Sequence, residues 1–132
     1  MSREVCFLDS SAVTKLVVAE PESSALTARL AGCALVGSAL LVPEVTRAVR
    51  RAHGSRRDRV LAEVLDLVDL VAVDRTVLSH AAALAPASMG TLDSIHLASA
   101  LMLRDRLTCL IAYDDRLSTA ALEAGLSVEQ PR

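Results

Sequence analysis

The chain has 132 residues, the length of one modest domain, and 52% of them are hydrophobic, ample for a real core. Aromatics make up only 2%, Phe7 and Tyr113, so the core must be built from Ala, Leu and Val, and the shortage argues against a base-stacking RNA platform. A net charge of −2 announces no global field for nucleic acid, although Arg47, Arg50, Arg51, Arg56, Arg57 and Arg59 crowd one region with His53 among them. Cys6, Cys33 and Cys109 are odd in number, scattered, and set in or beside apolar runs. They read as buried, reduced thiols, not a disulfide frame. No apolar stretch approaches the roughly 20 residues of a membrane span. The apolar run after Arg3 stops at Asp9, too soon for a signal peptide. The expectation is a soluble cytoplasmic protein, with residues 1–132 forming a single domain.

Val5–Leu8 is a short apolar run closed by Asp9 and reads as a buried strand. Ser10–Val18 is expected to be helical and is broken by Glu20-Pro21-Glu22. Glu22–Leu30 begins with acids and ends with Arg29, the polarity a helix dipole prefers. Ala34–Ala39 is a second strand. Pro43–Ala52 is a helix with proline near its start, stopped by Gly54. Ser55–Val68 is another, with Val60, Leu61, Val64, Leu65 and Val68 at helical spacing, so the two form a helical hairpin. Leu70–Val73 is a third strand, and Asp74 caps a helix to about Leu84. After the loop Ala85–Gly90, Thr91–Arg104 is a helix that is almost wholly apolar or small apart from Asp93 near its head. Leu107–Tyr113 is a fourth strand, Arg116–Glu123 a helix stopped by Gly125, and Leu126–Glu129 a short edge strand. Continuously apolar strands alternating with helices predict a three-layer α/β/α fold around a central parallel sheet of four to five short strands.

In such a sheet, ligands bind outside the carboxyl ends of the strands. Asp9 follows the first strand and Asp114, with Asp115, the fourth; Glu44 and Asp93 stand in first turns of helices. If the first and fourth strands are neighbours, all four acids converge. Each has an ordinary explanation as a helix cap, a first-turn acid or a turn residue. The set resists it: all border apolar segments, and no Lys or Arg lies immediately beside Asp9, Glu44 or Asp93. Carboxylates sharing one low-dielectric site repel one another unless a cation is present. An all-oxygen donor set suits Mg²⁺, with Mn²⁺ as its substitute, and such acid clusters serve phosphodiester chemistry. Zinc fits poorly, because His53, His80 and His96 are dispersed and no cysteine pair has ligand spacing. Nucleotide-cradling glycine motifs and a serine-hydrolase elbow are absent.

LDSSAVTKL (Leu8–Leu16), the Glu within SALLVPEVTRAVRR (Ser38–Arg51), TLDSIHLASAL (Thr91–Leu101) and AYDDRLSTAA (Ala112–Ala121) resemble, in order and spacing, the PIN-domain family. Within it the likeness is to the VapC-like toxins of type II toxin–antitoxin modules, and it covers essentially the whole chain. The resemblance implies an Mg²⁺- or Mn²⁺-dependent endoribonuclease whose metal ligands and catalytic acids are Asp9, Glu44, Asp93 and Asp114. Ser10 and Ser38 fall where the family often has a hydroxyl near the site, and Asp115 where the family varies. His96 matches the pattern as well. Three residues after Asp93, it either faces the site or packs in the core. The resemblance further implies an RNA substrate, a homodimer, and a cognate antitoxin bound across the Ser10–Leu30 helices and the Pro43–Val68 hairpin. Arg47 and Arg51, one turn apart, either hold RNA phosphates or form a solvated helix end, and Arg56, Arg57 and Arg59 carry the same two readings. Two rivals stand beside this reading. A receiver-like phospho-accepting domain needs a lysine after a late strand, whereas the single lysine, Lys15, lies in the first helix. A catalytically idle PIN module that only binds has no reason to keep all four acids.

Overall fold

Five short parallel strands define the molecule, which a computed structural model describes over residues 3–132. They are β1 (Val5–Leu8), β2 (Ala34–Ser38), β3 (Val68–Val71), β4 (Cys109–Ile111) and β5 (Val128–Glu129), in the sheet order β3-β2-β1-β4-β5. The helices are α1 (Ser10–Val17), α2 (Ser23–Leu30), α3 (Leu41–His53), α4 (Asp58–Asp66), α5 (Arg75–Ala83), α6 (Thr91–Leu101) and α7 (Asp115–Glu123). The chain builds β1, β2 and β3 outward in one direction, then crosses back to lay β4 on the other side of β1. The expected three-layer fold is the one observed.

Period-two alternation along the strands sends neighbouring side chains to opposite layers. Cys6 and Leu8 of β1 join Cys109 and Ile111 of β4 in a core with Ala12, Val13, Val45, Val49 and Leu61 from α1, α3 and α4. Phe7 and Leu110 face the other way, against Leu97, Ala100, Leu117 and Ala121 of α6 and α7. Helix α6 is buried at every residue from Ser94 to Ala100, which accounts for its all-round apolar sequence. Its Ile95 and Ala98 reach a third cluster with Val77 and Ala81 of α5. All three cysteines are free and buried, as expected. Among the described residues no helix is long and apolar enough to cross a membrane.

Several boundaries differ from the sequence expectation, each for a physical reason. Helix α3 starts at Leu41, two residues before Pro43, because the buried Ser38 hydroxyl accepts the Leu40 N–H at 3.1 Å and turns the chain early. Pro43 then sits in the first turn, where a missing N–H is harmless. Strand β3 is Val68–Val71 and not Leu70–Val73, and α4 stops at Asp66 instead of running on to Val68. The register pairs Leu35 with Val68 and Ser38 with Val71, and as an edge strand β3 leaves Asp69 and Leu70 exposed. Helix α6 ends at Leu101 and gives way to a 3-10 turn at Arg104–Arg106, so only Cys109–Ile111 of the expected Leu107–Tyr113 strand is paired.

One glycine couples the sheet to α3. A Cβ on Gly37 would collide with Leu41 Cδ1, a fully buried side chain, and lie 3.1 Å from the Leu8 carbonyl oxygen. Gly37→Ala is therefore expected to destabilise the protein by about 1–3 kcal/mol, the cost of overpacking. Chemical denaturation reads this directly, and an unchanged midpoint would contradict the close approach.

Candidate metal centre

The turn from β1 into α1 is built on Asp9. Its Oδ1 caps the helix, accepting the Ala12 N–H at 2.9 Å and the Ser11 hydroxyl at 2.6 Å. Ser11 Oγ in turn accepts the Tyr113 N–H at 3.0 Å, and the Asp9 N–H donates to the Ile111 carbonyl at 3.2 Å. The carboxyl ends of β1 and β4 are thereby stitched together at the point where the strand order reverses, the usual ligand position in an open parallel sheet. Asp114, after β4, repeats the device. Its Oδ1 accepts the N–H groups of Arg116 at 2.8 Å and Leu117 at 3.1 Å and caps α7.

Glu44 lies in the first turn of α3. Its Oε1 accepts the Ser10 hydroxyl at 2.8 Å and also meets His96 Nε2 of α6. Asp93 is in the first turn of α6 and is half-buried, with no side-chain hydrogen bond among the described residues. The helix begins at Thr91, with Gly90 in the N-cap position and no side chain capping it. One pattern therefore covers the set. Among the described residues, Asp9, Glu44 and Asp114 each commit one oxygen to the protein and leave the other without a protein partner, while Asp93 leaves both.

Electrostatics tie the acids to one another. Asp9 is only 4% exposed, and burial pushes its carboxyl up from the ordinary range against the Ser11 and Ala12 hydrogen bonds, with the Asp93 charge adding to the rise. Asp93 is also pushed up, first by burial, then by the charges of Asp114 and Glu44. Glu44 goes the other way: burial raises it, but the hydrogen bonds from His96 and Ser10 prevail and hold it low. Among the described residues no arginine or lysine pairs with Asp9, Asp93 or Asp114.

The remaining candidates separate clearly. Ser10 is at the site through Glu44, whereas buried Ser38 serves the turn into α3. Asp115 is exposed at the start of α7 and makes no side-chain hydrogen bond in the described structure. His96 is 2% exposed and lies against Glu44. Arg47 and Arg51 are exposed on α3 without acidic partners among the described residues, while Arg50 pairs with Asp58 and Arg59 with Glu63. Lys15 is bound to Glu22 at 3.1 Å and stands over the Tyr113 ring, so it is not the free late-strand lysine of a receiver domain. Ser11, the second serine after Asp9, is the one contributor here that is not among the sequence candidates, and although His96 is among them, nothing local links it to Glu44.

Among the described residues, no three His, Cys, Asp or Glu side chains stand close enough together as placed to hold a metal ion. The acids are neighbours along the sheet edge. Their donor set nevertheless fits a hard divalent cation: oxygens only, one or more oxygens per residue free of protein partners among the described residues, and mutual repulsion that His96 and Arg116 offset only in part, since Asp93 stays raised. Asp9→Asn isolates the electrostatic part, because the amide oxygen can keep both capping bonds while the charge is lost. A carboxyl whose value is raised on folding destabilises the folded state as pH rises from the ordinary carboxylate range through that raised value. In metal-free buffer at pH 7 the variant is expected to melt roughly 3–5 °C higher, the shift that about 1 kcal/mol brings at this size. Scanning calorimetry with a chelator tests this, and a lower melting temperature would contradict it.

Comparison with known proteins agrees with this geometry. The family profile of the PIN domain matches residues 6–122. Ribonuclease VapC46 of Mycobacterium tuberculosis is 44% identical over 126 residues, spanning 95% of this chain and 96% of the relative. Among solved structures, Mycobacterium tuberculosis VapC20, a sarcin-ricin loop cleaving toxin, superposes with a TM-score of 0.71 at 16% identity, covering 96% of this chain and 99% of that one. A toxin–antitoxin complex from Klebsiella pneumoniae gives a TM-score of 0.66 at 20% identity, covering 96% and 98%. With a switch-point acid edge built as described and a match along nearly its whole length, the chain belongs to the PIN-domain family.

Proposed function

We infer that the chain is an endoribonuclease toxin of a type II toxin–antitoxin module, hydrolysing RNA phosphodiester bonds. The observation that carries this reading is the set of carboxylate oxygens left free by Asp9, Glu44, Asp93 and Asp114 on one sheet edge. The ribonuclease relative and the similar toxin structures support it. In this reading the four acids would hold Mg²⁺, or Mn²⁺ in its place. When bound, the cation supplies charge neutralisation at the scissile phosphate and acidifies the attacking water.

The rest of the chemistry belongs to the chain. Ser11 and the Ala12 N–H hold Asp9 at the end of β1, and Ser10 with His96 holds Glu44. Buried α6 fixes Asp93 from behind, so no reorganisation is needed when the substrate's charge develops. Arg47 and Arg51, unpaired on the surface of α3, are suited to hold phosphates that flank the scissile bond. An acid oxygen not engaged by the cation accepts the proton released by the attacking water.

The antitoxin's seat in this reading is a groove of about 600 Å³ between α1, α2 and α4, lined by Leu16, Val17, Ala28 and Val60 with Arg57 at its side. The toxin works as a homodimer and as a single domain. Its buried, free thiols suit the reducing cytoplasm. Asp93→Asn is expected to lower Mg²⁺-dependent cleavage of a structured RNA by about 10²–10³-fold, the scale of one preorganised electrostatic group. Single-turnover cleavage measures this, and a variant as fast as the parent would remove Asp93 from the site.

A further inference from the structure

His96 has the burial of a core residue and the hydrogen bonding of something else. It is 2% exposed, on a helix buried from Ser94 to Ala100. Its Nε2 meets Glu44 Oε1, and Ser10 Oγ stands 3.3 Å from the same nitrogen. Ser10 also donates to Glu44 Oε1 at 2.8 Å, so side chains of α1, α3 and α6 close a triangle on a single carboxylate oxygen. An ionised carboxylate only accepts, so Nε2 carries a proton and donates it to Glu44. The other ring nitrogen, Nδ1, is buried with no partner among the described residues.

A histidine retained for packing would satisfy both ring nitrogens or give way to leucine or methionine, which fill a similar volume without stranding a polar atom. The fold accepts the cost of a stranded Nδ1 to keep Nε2 on Glu44. Glu44 is 21% exposed in its side chain, and its Oε2 receives no donor among the described residues. Both protein donors fall on Oε1 and neither on Oε2.

We propose that His96 is a positioning residue for Glu44: with Ser10 it clamps Oε1, fixes the rotamer, and reserves Oε2 for the divalent cation. This rests on the metal-dependent reading above and deepens it. Outer partners that orient a ligand in this way are worth about 10–100-fold in metal affinity.

The test is Mn²⁺ binding to the full 132-residue chain, followed by calorimetry and by electron paramagnetic resonance of the free ion, with no RNA present. His96→Leu is expected to weaken Mn²⁺ binding by about 10–100-fold. His96→Gln, whose amide nitrogen can still donate to Oε1, is expected to recover most of that loss. Ser10→Ala, which removes one of the two donors while leaving the core filled, is expected to weaken binding about 3–10-fold, the net worth of one hydrogen bond. It also carries the test if His96→Leu does not fold. Equal Mn²⁺ affinity in the parent and in His96→Leu or Ser10→Ala would overturn the clamp and leave the metal centre standing. Equal losses in His96→Leu and His96→Gln would show that shape and not hydrogen bonding matters, and would overturn it as well. A parent chain that binds no Mn²⁺ would overturn the metal centre and the clamp together.

Discussion

The constraint on which this molecule turns is the division of labour within single carboxylates. Asp9 and Asp114 each cap a helix through one oxygen, and Glu44 is held by Ser10 and His96 through one oxygen. Fixing a carboxylate on one side is what makes its other side useful, because the free oxygen then has a defined position without any ligand to hold it. The cost is electrostatic. Burial and neighbouring acids push Asp9 and Asp93 up, and among the described residues no arginine or lysine forms an ion pair with either. A site that is uncomfortable in this way lowers the stability of the protein it belongs to, a cost that a bound cation would offset.

Topology makes the arrangement affordable in chain length. The reversal of strand order between β1 and β4 brings two strand-end acids side by side, and parallel crossovers place the first turns of α3 and α6 above the same edge. The stitch from Asp9 through Ser11 to Tyr113 spans β1 and β4 at the switch point, so the acid edge and the sheet are held by the same hydrogen bonds. Gly37 serves a related purpose on the other side, letting Leu41 pack against the sheet so that α3 can deliver Glu44.

Much of this was legible in the sequence. The acids stood out because each borders an apolar run, and strand ends and helix starts are where such a run must meet solvent. The alternation of elements carried the layer architecture. What failed was local. Asp69 interrupts the apolar character of β3 and hides its first two residues in the sequence, and only the edge position of the strand makes an exposed Asp69 tolerable. Pro43 marks the start of α3 in the sequence, whereas the Ser38 hydroxyl turns the chain earlier. The contact of His96 with Glu44 joins residues 52 apart and leaves no periodic trace, so a histidine in an apolar helix could not be told from a packed one. The commitment of one oxygen per acid is likewise a property of three-dimensional capping geometry alone.

The central claim is that the free oxygens share a divalent cation, and thermal stability measured against pH with and without millimolar Mg²⁺ tests it most directly. At a tenfold excess over Kd, a cation that binds only the folded state adds roughly 1.4 kcal/mol. The account predicts that Mg²⁺ raises the melting temperature, and that the rise grows as pH climbs through the raised values of Asp9 and Asp93 and both acids ionise. Superimposable melting curves with Mg²⁺ and with a chelator across that range would contradict it.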